Sequence, residues 1–121
     1  MLVKIKPLSV NQAWQGRRFK TKAYLIYEKE LLLKLPKLTL PPAPLEIHYT
    51  IGFSSKLSDL GNPEKLITDI LCKKYNFNDR DIFKIVMVKE IVKKGDEFID
   101  FTISTYDSIS LNEINLVSLS S

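Results

Sequence analysis

Ser58-Asp59-Leu60-Gly61-Asn62-Pro63-Glu64-Lys65-Leu66-Ile67-Thr68-Asp69-Ile70-Leu71-Cys72-Lys73-Lys74-Tyr75-Asn76-Phe77-Asn78-Asp79-Arg80-Asp81 is the stretch around which the rest of the chain is organised. Asn62 can cap a helix through its side-chain oxygen. Pro63 suits the first helical position, where a missing N–H is no loss, and Glu64 favours the positive end of the helix dipole. The spacing predicts a helix over about 62–75 that begins at Asn62 or Pro63. At about 100° per residue, Leu66, Ile67, Ile70 and Leu71 form an apolar arc, with Asn62, Lys65 and Asp69 on a polar line beside it. One face packs and its edge carries chemistry.

Asp59 stands just before this helix, and Asp79 and Asp81 follow it. A strand over 79–88 points Asp79 and Asp81 the same way, so carboxylates from both ends of the unit can converge. Oxygen ligands of that kind suit a hard divalent cation such as Mg²⁺, with Mn²⁺ as a substitute. A nearby lysine can hold a phosphate or offset developing negative charge. That is the outline of a phosphodiesterase site. The plain alternative leaves the same aspartates as a helix flank, a turn and a solvated strand end.

With 121 residues and 45% hydrophobic content, the chain suits one domain with a real core. Apolar runs such as Leu31-Leu32-Leu33 and Ile85-Val86-Met87-Val88 fall far short of a membrane span. Met1-Leu2-Val3-Lys4-Ile5 alternates rather than forming a signal-peptide core, so a soluble cytoplasmic protein is expected. Cys72 is the single cysteine, which excludes an intramolecular disulfide or a cysteine zinc site and reads as a partly buried filler. His48 has no second histidine with which to bind zinc. The net charge of +4 is unevenly spread: residues 1–40 carry nine Lys or Arg against Glu28 and Glu30, whereas residues 95–121 carry five acids and no Lys or Arg. Such asymmetry suggests a basic surface for a polyanion, most simply nucleic acid.

Along the chain, Leu2-Val3-Lys4-Ile5-Lys6 alternates as a first strand and delivers a polar loop over 9–22. There Arg17, Arg18, Lys20 and Lys22 interleave with Trp14 and Phe19, so cations for phosphates stand beside rings that can stack on unpaired bases or anchor the loop to the core. Thr21 is a plausible cap for a helix with Tyr24, Tyr27, Leu31, Leu25, Leu32 and Leu35 on a broad apolar face, ending before Pro36. Leu45 to Phe53 reads as a strand. The β-branched run over 82–92 and the segment 97–104 read as two more strands, joined as a hairpin through Lys93-Lys94-Gly95-Asp96. The order strand, helix, strand, helix, strand, strand predicts an α+β fold, a mixed sheet with two helices on one face. One domain over 1–105 is followed by a tail over 106–121, for which an edge strand and a partner-docking segment both stay open.

Two segments carry a resemblance: Pro7-Leu8-Ser9-Val10-Asn11 with Gly16-Arg17-Arg18-Phe19, and Ser58-Asp59-Leu60-Gly61-Asn62-Pro63-Glu64-Lys65 with Asp69, Asn78-Asp79 and Ile82. In these the chain resembles the RusA-type endodeoxyribonucleases, small phage and prophage Holliday-junction resolvases, over roughly residues 2–105. The resemblance implies a Mg²⁺-dependent homodimer that binds four-way DNA junctions and nicks symmetrically placed strands. It implies that Asp59 is the first acidic ligand of the family's Asp-x-Asp-Asn-x-x-Lys motif, Asn62 its asparagine and Lys65 its lysine. Asp79 matches the later essential aspartate. Asp69 is a supporting residue, and Asn11, Arg17, Arg18, Lys20 and Lys22 contact DNA.

Gly61 stands where the family's second aspartate belongs. Losing an anionic ligand weakens hard-metal affinity and misplaces the attacking water, so a weakened or inactive nuclease is expected unless Asp81, sharing a strand face with Asp79, completes the set. The alternative is a junction- or single-strand-binding protein that does not cut. A third reading takes the acidic tail as a protein interface and expects no DNA affinity.

Overall fold

The computed structural model describes residues 1–8, 10–15, 19–56 and 61–107. Their elements are β1 (Leu2–Lys4), α1 (Val10–Ala13), β2 (Trp14–Gln15), β3 (Phe19–Lys20), α2 (Lys22–Lys34), β4 (Leu45–Phe53), α3 (Gly61–Tyr75), a 3₁₀ turn (Asp79–Asp81), β5 (Ile82–Ile91) and β6 (Phe98–Thr105). Four strands form one sheet in the order β1-β6-β4-β5, in which β4 runs parallel to β5 and antiparallel to β6. β2 and β3 form a separate two-stranded ribbon. The fold is α+β, a mixed sheet with two long helices.

β4 is the spine because its alternation is strict. Leu45, Ile47, Tyr49, Ile51 and Phe53 are buried on one face, whereas Glu46, His48 and Thr50 point to the other. Ile99 and Phe101 of the neighbouring β6 extend this face, and against it pack Leu66, Ile67, Ile70 and Leu71 from α3 and Tyr24, Tyr27, Leu31 and Leu35 from α2 and its end. Both helices thus cover one face of the sheet. Each fully buried Leu or Ile contributes about 1.5–3 kcal/mol on leaving water, so this single cluster holds the fold.

Thr21 caps α2 as its sequence predicts, accepting a hydrogen bond from the Tyr24 N–H at 3.2 Å, and the helix stops at Leu35, before Pro36. Its apolar face is narrower than expected: Leu25 is exposed while Tyr24, Tyr27 and Leu31 form the buried stripe. α3 begins at Gly61, which places Asn62 inside the first turn rather than at the cap. Asn76 ends α3 with a left-handed φ of 56°, and the Phe77 N–H bonds back to the Cys72 carbonyl at 3.2 Å. That sharp stop returns the chain beside the helix it has just left.

Three further expectations are corrected. β5 and β6 do not form a hairpin, because β4 lies between them. The connecting turn explains why: Asp96 N–H bonds to the Lys93 carbonyl at 2.9 Å, and only Gly95, at the third position, has positive φ (97°). That is the pattern of a type II turn, which does not match the twist of a tight hairpin, and the chain crosses the end of β4 instead. The strand expected from 79 begins at Ile82, after a 3₁₀ turn capped by Asn78, whose side-chain oxygen accepts from the Arg80 N–H at 3.1 Å. The loop expected over 9–22 contains α1 and the β2–β3 ribbon. The expected tail lies outside the described residues from 108 onward.

Candidate active site

A cleft of about 260 Å³ opens where α3 faces the 3₁₀ turn and the start of β5, lined by Glu64, Lys65, Thr68, Asp69, Asp79, Ile82 and Ile85. One helical turn separates Lys65 from Asp69, so both project from the same edge of α3. The turn at Asn76 and the Asn78 cap bring Asp79 to face them. Three of the residues singled out from the sequence therefore meet in one place, although Asp79 lies ten residues beyond Asp69.

Asp69 is half-buried. Burial pushes its pKa above the ordinary carboxylate value; the Lys65 ammonium opposes the shift, the Asp79 and Glu64 charges reinforce it, and Lys20 opposes it again. The cleft is thus a place where negative charge is crowded and a lysine partly offsets it. Cys72, on the next turn of α3, has its thiol pushed up to about 11 by burial and by the charges of Asp79 and Asp69. It stays a protonated filler, not a nucleophile.

Glu64 and Thr68 were not singled out as site residues, and they form the back wall. The Thr68 hydroxyl donates to Glu64 Oε1 at 2.8 Å and lies 2.7 Å from the Tyr49 hydroxyl. Thr68 has one proton to give, so Tyr49 donates to Thr68 and Thr68 to Glu64. This chain fixes the Glu64 carboxylate from inside the core. Its outer half was visible in the helical spacing of Glu64 and Thr68; its inner half comes from β4.

Asp81 falls elsewhere. In a 3₁₀ turn with about three residues per turn, positions two apart point away from each other, so Asp79 and Asp81 share no face. Asp81 is not among the residues lining the cleft, and the ground for it as a ligand is gone. Asp59, Arg17 and Arg18 lie outside the described residues, and the backbones of Asn11 and Asn62 belong to α1 and α3. Among the described residues no three His, Cys, Asp or Glu stand close enough to enclose a metal ion. The donors that border the cleft, carboxylate oxygens of Asp69 and Asp79, nevertheless fit a hard cation in kind.

Beside the cleft stands the ribbon. Its register pairs Trp14 with Lys20 and Gln15 with Phe19, so Lys20 and Phe19 point to opposite sides. Lys20 turns toward α2, 4.8 Å above the Tyr24 ring and 3.1 Å from Glu28. Lys73 of α3 reaches the same carboxylate at 3.1 Å. Burial raises the Glu28 pKa, but the hydrogen bonds and charges of Lys20 and Lys73 outweigh it and hold the group below the ordinary value. Phe19 faces the other way and is 72% exposed, so it does not anchor the ribbon to the core. Lys22, the first residue of α2, is exposed too.

No helix among the described residues is long and apolar enough to cross a membrane. No family model and no curated protein matches the chain.

Proposed function

We propose that this chain is a RusA-type endonuclease of branched DNA, acting as a homodimer in the cytoplasm with Mg²⁺, and weakened by Gly61 at one ligand position. The observation that carries the reading is the meeting of Lys65, Asp69 and Asp79 in one cleft, from a helix and a turn whose sequences resemble that family's motif.

Asp79, together with Asp59 from the segment before α3, would hold the cation, with Asp69 supporting the site from the edge of α3. Mg²⁺ supplies Lewis acidity at the scissile phosphate and eases deprotonation of the attacking water. Lys65, exposed at the cleft rim, offsets the charge that builds on the phosphate oxygens in the transition state. Glu64 is held back from the phosphate by Thr68 and Tyr49, so it adds to the negative potential that draws a cation in. Lys22, with Arg17, Arg18 and Asn11, grips backbone phosphates, and Phe19 stacks on a base that the branch point leaves unpaired; Lys20, expected to join them, is held by Glu28 on the other side of the ribbon.

A labelled four-way junction tests the reading. Slow nicking that needs Mg²⁺ or Mn²⁺, stops with chelator and is lost in Asp79→Asn supports it. Cleavage that survives Asp79→Asn contradicts it. Tight binding in Ca²⁺ with no cutting under any condition gives the cleft to the non-cutting alternative, which Gly61 favours.

A further inference from the structure

At the end of β5 away from the cleft, the sheet carries a larger pocket. It measures about 590 Å³, against about 260 Å³ for the cleft, and is lined by Lys4, Ile91, Val92, Lys93, Asp96 and Phe98. Small-ligand sites occupy roughly 300–1,000 Å³ and combine apolar walls with a few polar groups. Ile85 of the cleft and Ile91 of the pocket are separated by about 20 Å of strand, so the two sites are distinct.

A glycine sets the floor of this pocket. β6 pairs Phe98 with Gly52 of β4 on one side and with Lys4 of β1 on the other, so the three share the face of the sheet opposite the helices. Gly52 has no side chain, and the Phe98 ring lies over it: a Cβ there would stand 2.4 Å from two of the ring carbons. The ring is therefore seated on the sheet, Gly52 is buried beneath it, and the half-buried Phe98 turns its remaining surface to the pocket. Such a surface can stack on a planar ring. The apolar wall is fixed by the crossing over the end of β4, where the Val92 N–H donates to the Phe53 carbonyl at 2.8 Å. The rim is fixed by the turn in which the Asp96 N–H donates to the Lys93 carbonyl at 2.9 Å.

Lys4, Lys93 and Asp96 are exposed, and their side chains enter none of the ion pairs among the described residues. Two ammonium groups attract an anion, but the carboxylate at the same rim opposes one unless the ligand also brings N–H donors. Inorganic phosphate or an aromatic acid leaves Asp96 opposed. We propose that the pocket binds a free nucleoside phosphate whose base carries an amino group. The base stacks on Phe98, its amino group donates to Asp96, and the phosphate is held by Lys4 and Lys93. A nucleic-acid strand fits less well, because Glu90 and Asp100 stand on the same face beside the pocket and repel the phosphates that continue from a bound base. The site rests on the pocket alone and stands whether or not the cleft cuts DNA.

The test is an amide NMR titration of the isotopically labelled full chain, which is read independently of cleavage. The probes are guanosine monophosphate, inosine monophosphate, guanosine, inorganic phosphate and a single-stranded oligonucleotide of mixed sequence. Guanosine monophosphate is expected to shift the amides of Gly52, Gly95 and Phe98 to saturation, and to bind at least about tenfold more tightly than guanosine or inorganic phosphate. Inosine monophosphate, which lacks the amino group, is expected to bind several-fold more weakly, a difference that Asp96→Ala abolishes. Lys4→Ala and Lys93→Ala, at exposed positions, should each weaken guanosine monophosphate about threefold or more, and Phe98→Leu about fivefold or more. Should circular dichroism show Phe98→Leu unfolded, the two lysine variants decide. The proposal is overturned by unmoved pocket amides at millimolar nucleotide, by inorganic phosphate binding as tightly (an adventitious ion only), or by equal affinity for the two monophosphates. Shifts caused by the oligonucleotide and not by guanosine monophosphate overturn it too, and give the pocket to a strand.

Discussion

Asp69 shows how a single residue can be set against the fold that holds it. Burial and neighbouring carboxylates raise its pKa, so the ionised form costs stability above that raised value, and the cost disappears as pH falls through it. Asp69→Asn is therefore expected to leave thermal stability at pH 7 unchanged or higher, while cleavage drops about 10- to 100-fold, as for a residue supporting a metal site. A clear fall in melting temperature would show that Asp69 serves the fold. Tyr49→Phe runs the other way: it removes the donor behind Thr68 and is expected to cost about 1 kcal/mol in chemical denaturation. Lys65 and Asp69 were legible because helical spacing alone puts them on one edge. The bond from Tyr49 to Thr68 was not, since nothing local to either residue announces a partner nineteen positions away.

At the scale of elements, long amphipathic segments could be read and short ones could not. The Thr21 cap, the stop before Pro36 and the β4 alternation follow from local chemistry, and Thr21→Ala is expected to cost about 1 kcal/mol of stability in urea unfolding. α1 has four residues and the ribbon strands two each, too few for any period to emerge. The false hairpin had a readable warning: Gly95 at the third place of Lys93-Lys94-Gly95-Asp96 suits a type II turn, not the primed turns of tight hairpins. What no local signal supplied is that β4, far back in the chain, would take the space between. The ribbon is also where stability and function separate most cleanly. Phe19→Ala is expected to change stability by less than about 0.5 kcal/mol, since the ring is in water. It should weaken junction binding by about 1–3 kcal/mol for each base it stacks, measured by fluorescence anisotropy; unchanged affinity would remove Phe19 from the interface.

Over the whole molecule, charge bears on folding and on the proposed binding. Glu28 is held below its ordinary pKa, its burial outweighed by Lys20 and Lys73. Glu97 is held there by its own backbone N–H, the Ser54 hydroxyl and the Gly95 N–H. Groups with lowered folded pKa values stabilise fully above the unfolded value and lose that contribution as pH falls through the folded one. Stability is therefore expected to decline as pH drops below about 4.5, the ordinary glutamate value. Glu28→Gln should flatten that decline in pH-dependent thermal melts, and an unchanged slope would mean that the Lys20–Glu28–Lys73 cluster contributes nothing to folding. Under the proposed function, Lys22 and the other cations of the basic first third of the chain are expected to make junction affinity fall steeply with salt. The proposed function itself turns on one position at the start of α3, where an acidic residue is also well tolerated by the helix dipole. The most direct measurement compares junction cleavage by the chain and by Gly61→Asp, in Mg²⁺ and in Mn²⁺, with binding followed in Ca²⁺. Equal binding with cleavage at least about tenfold faster in Gly61→Asp is the expected result; a Gly61→Asp protein that binds the junction and still cuts no faster would contradict the account.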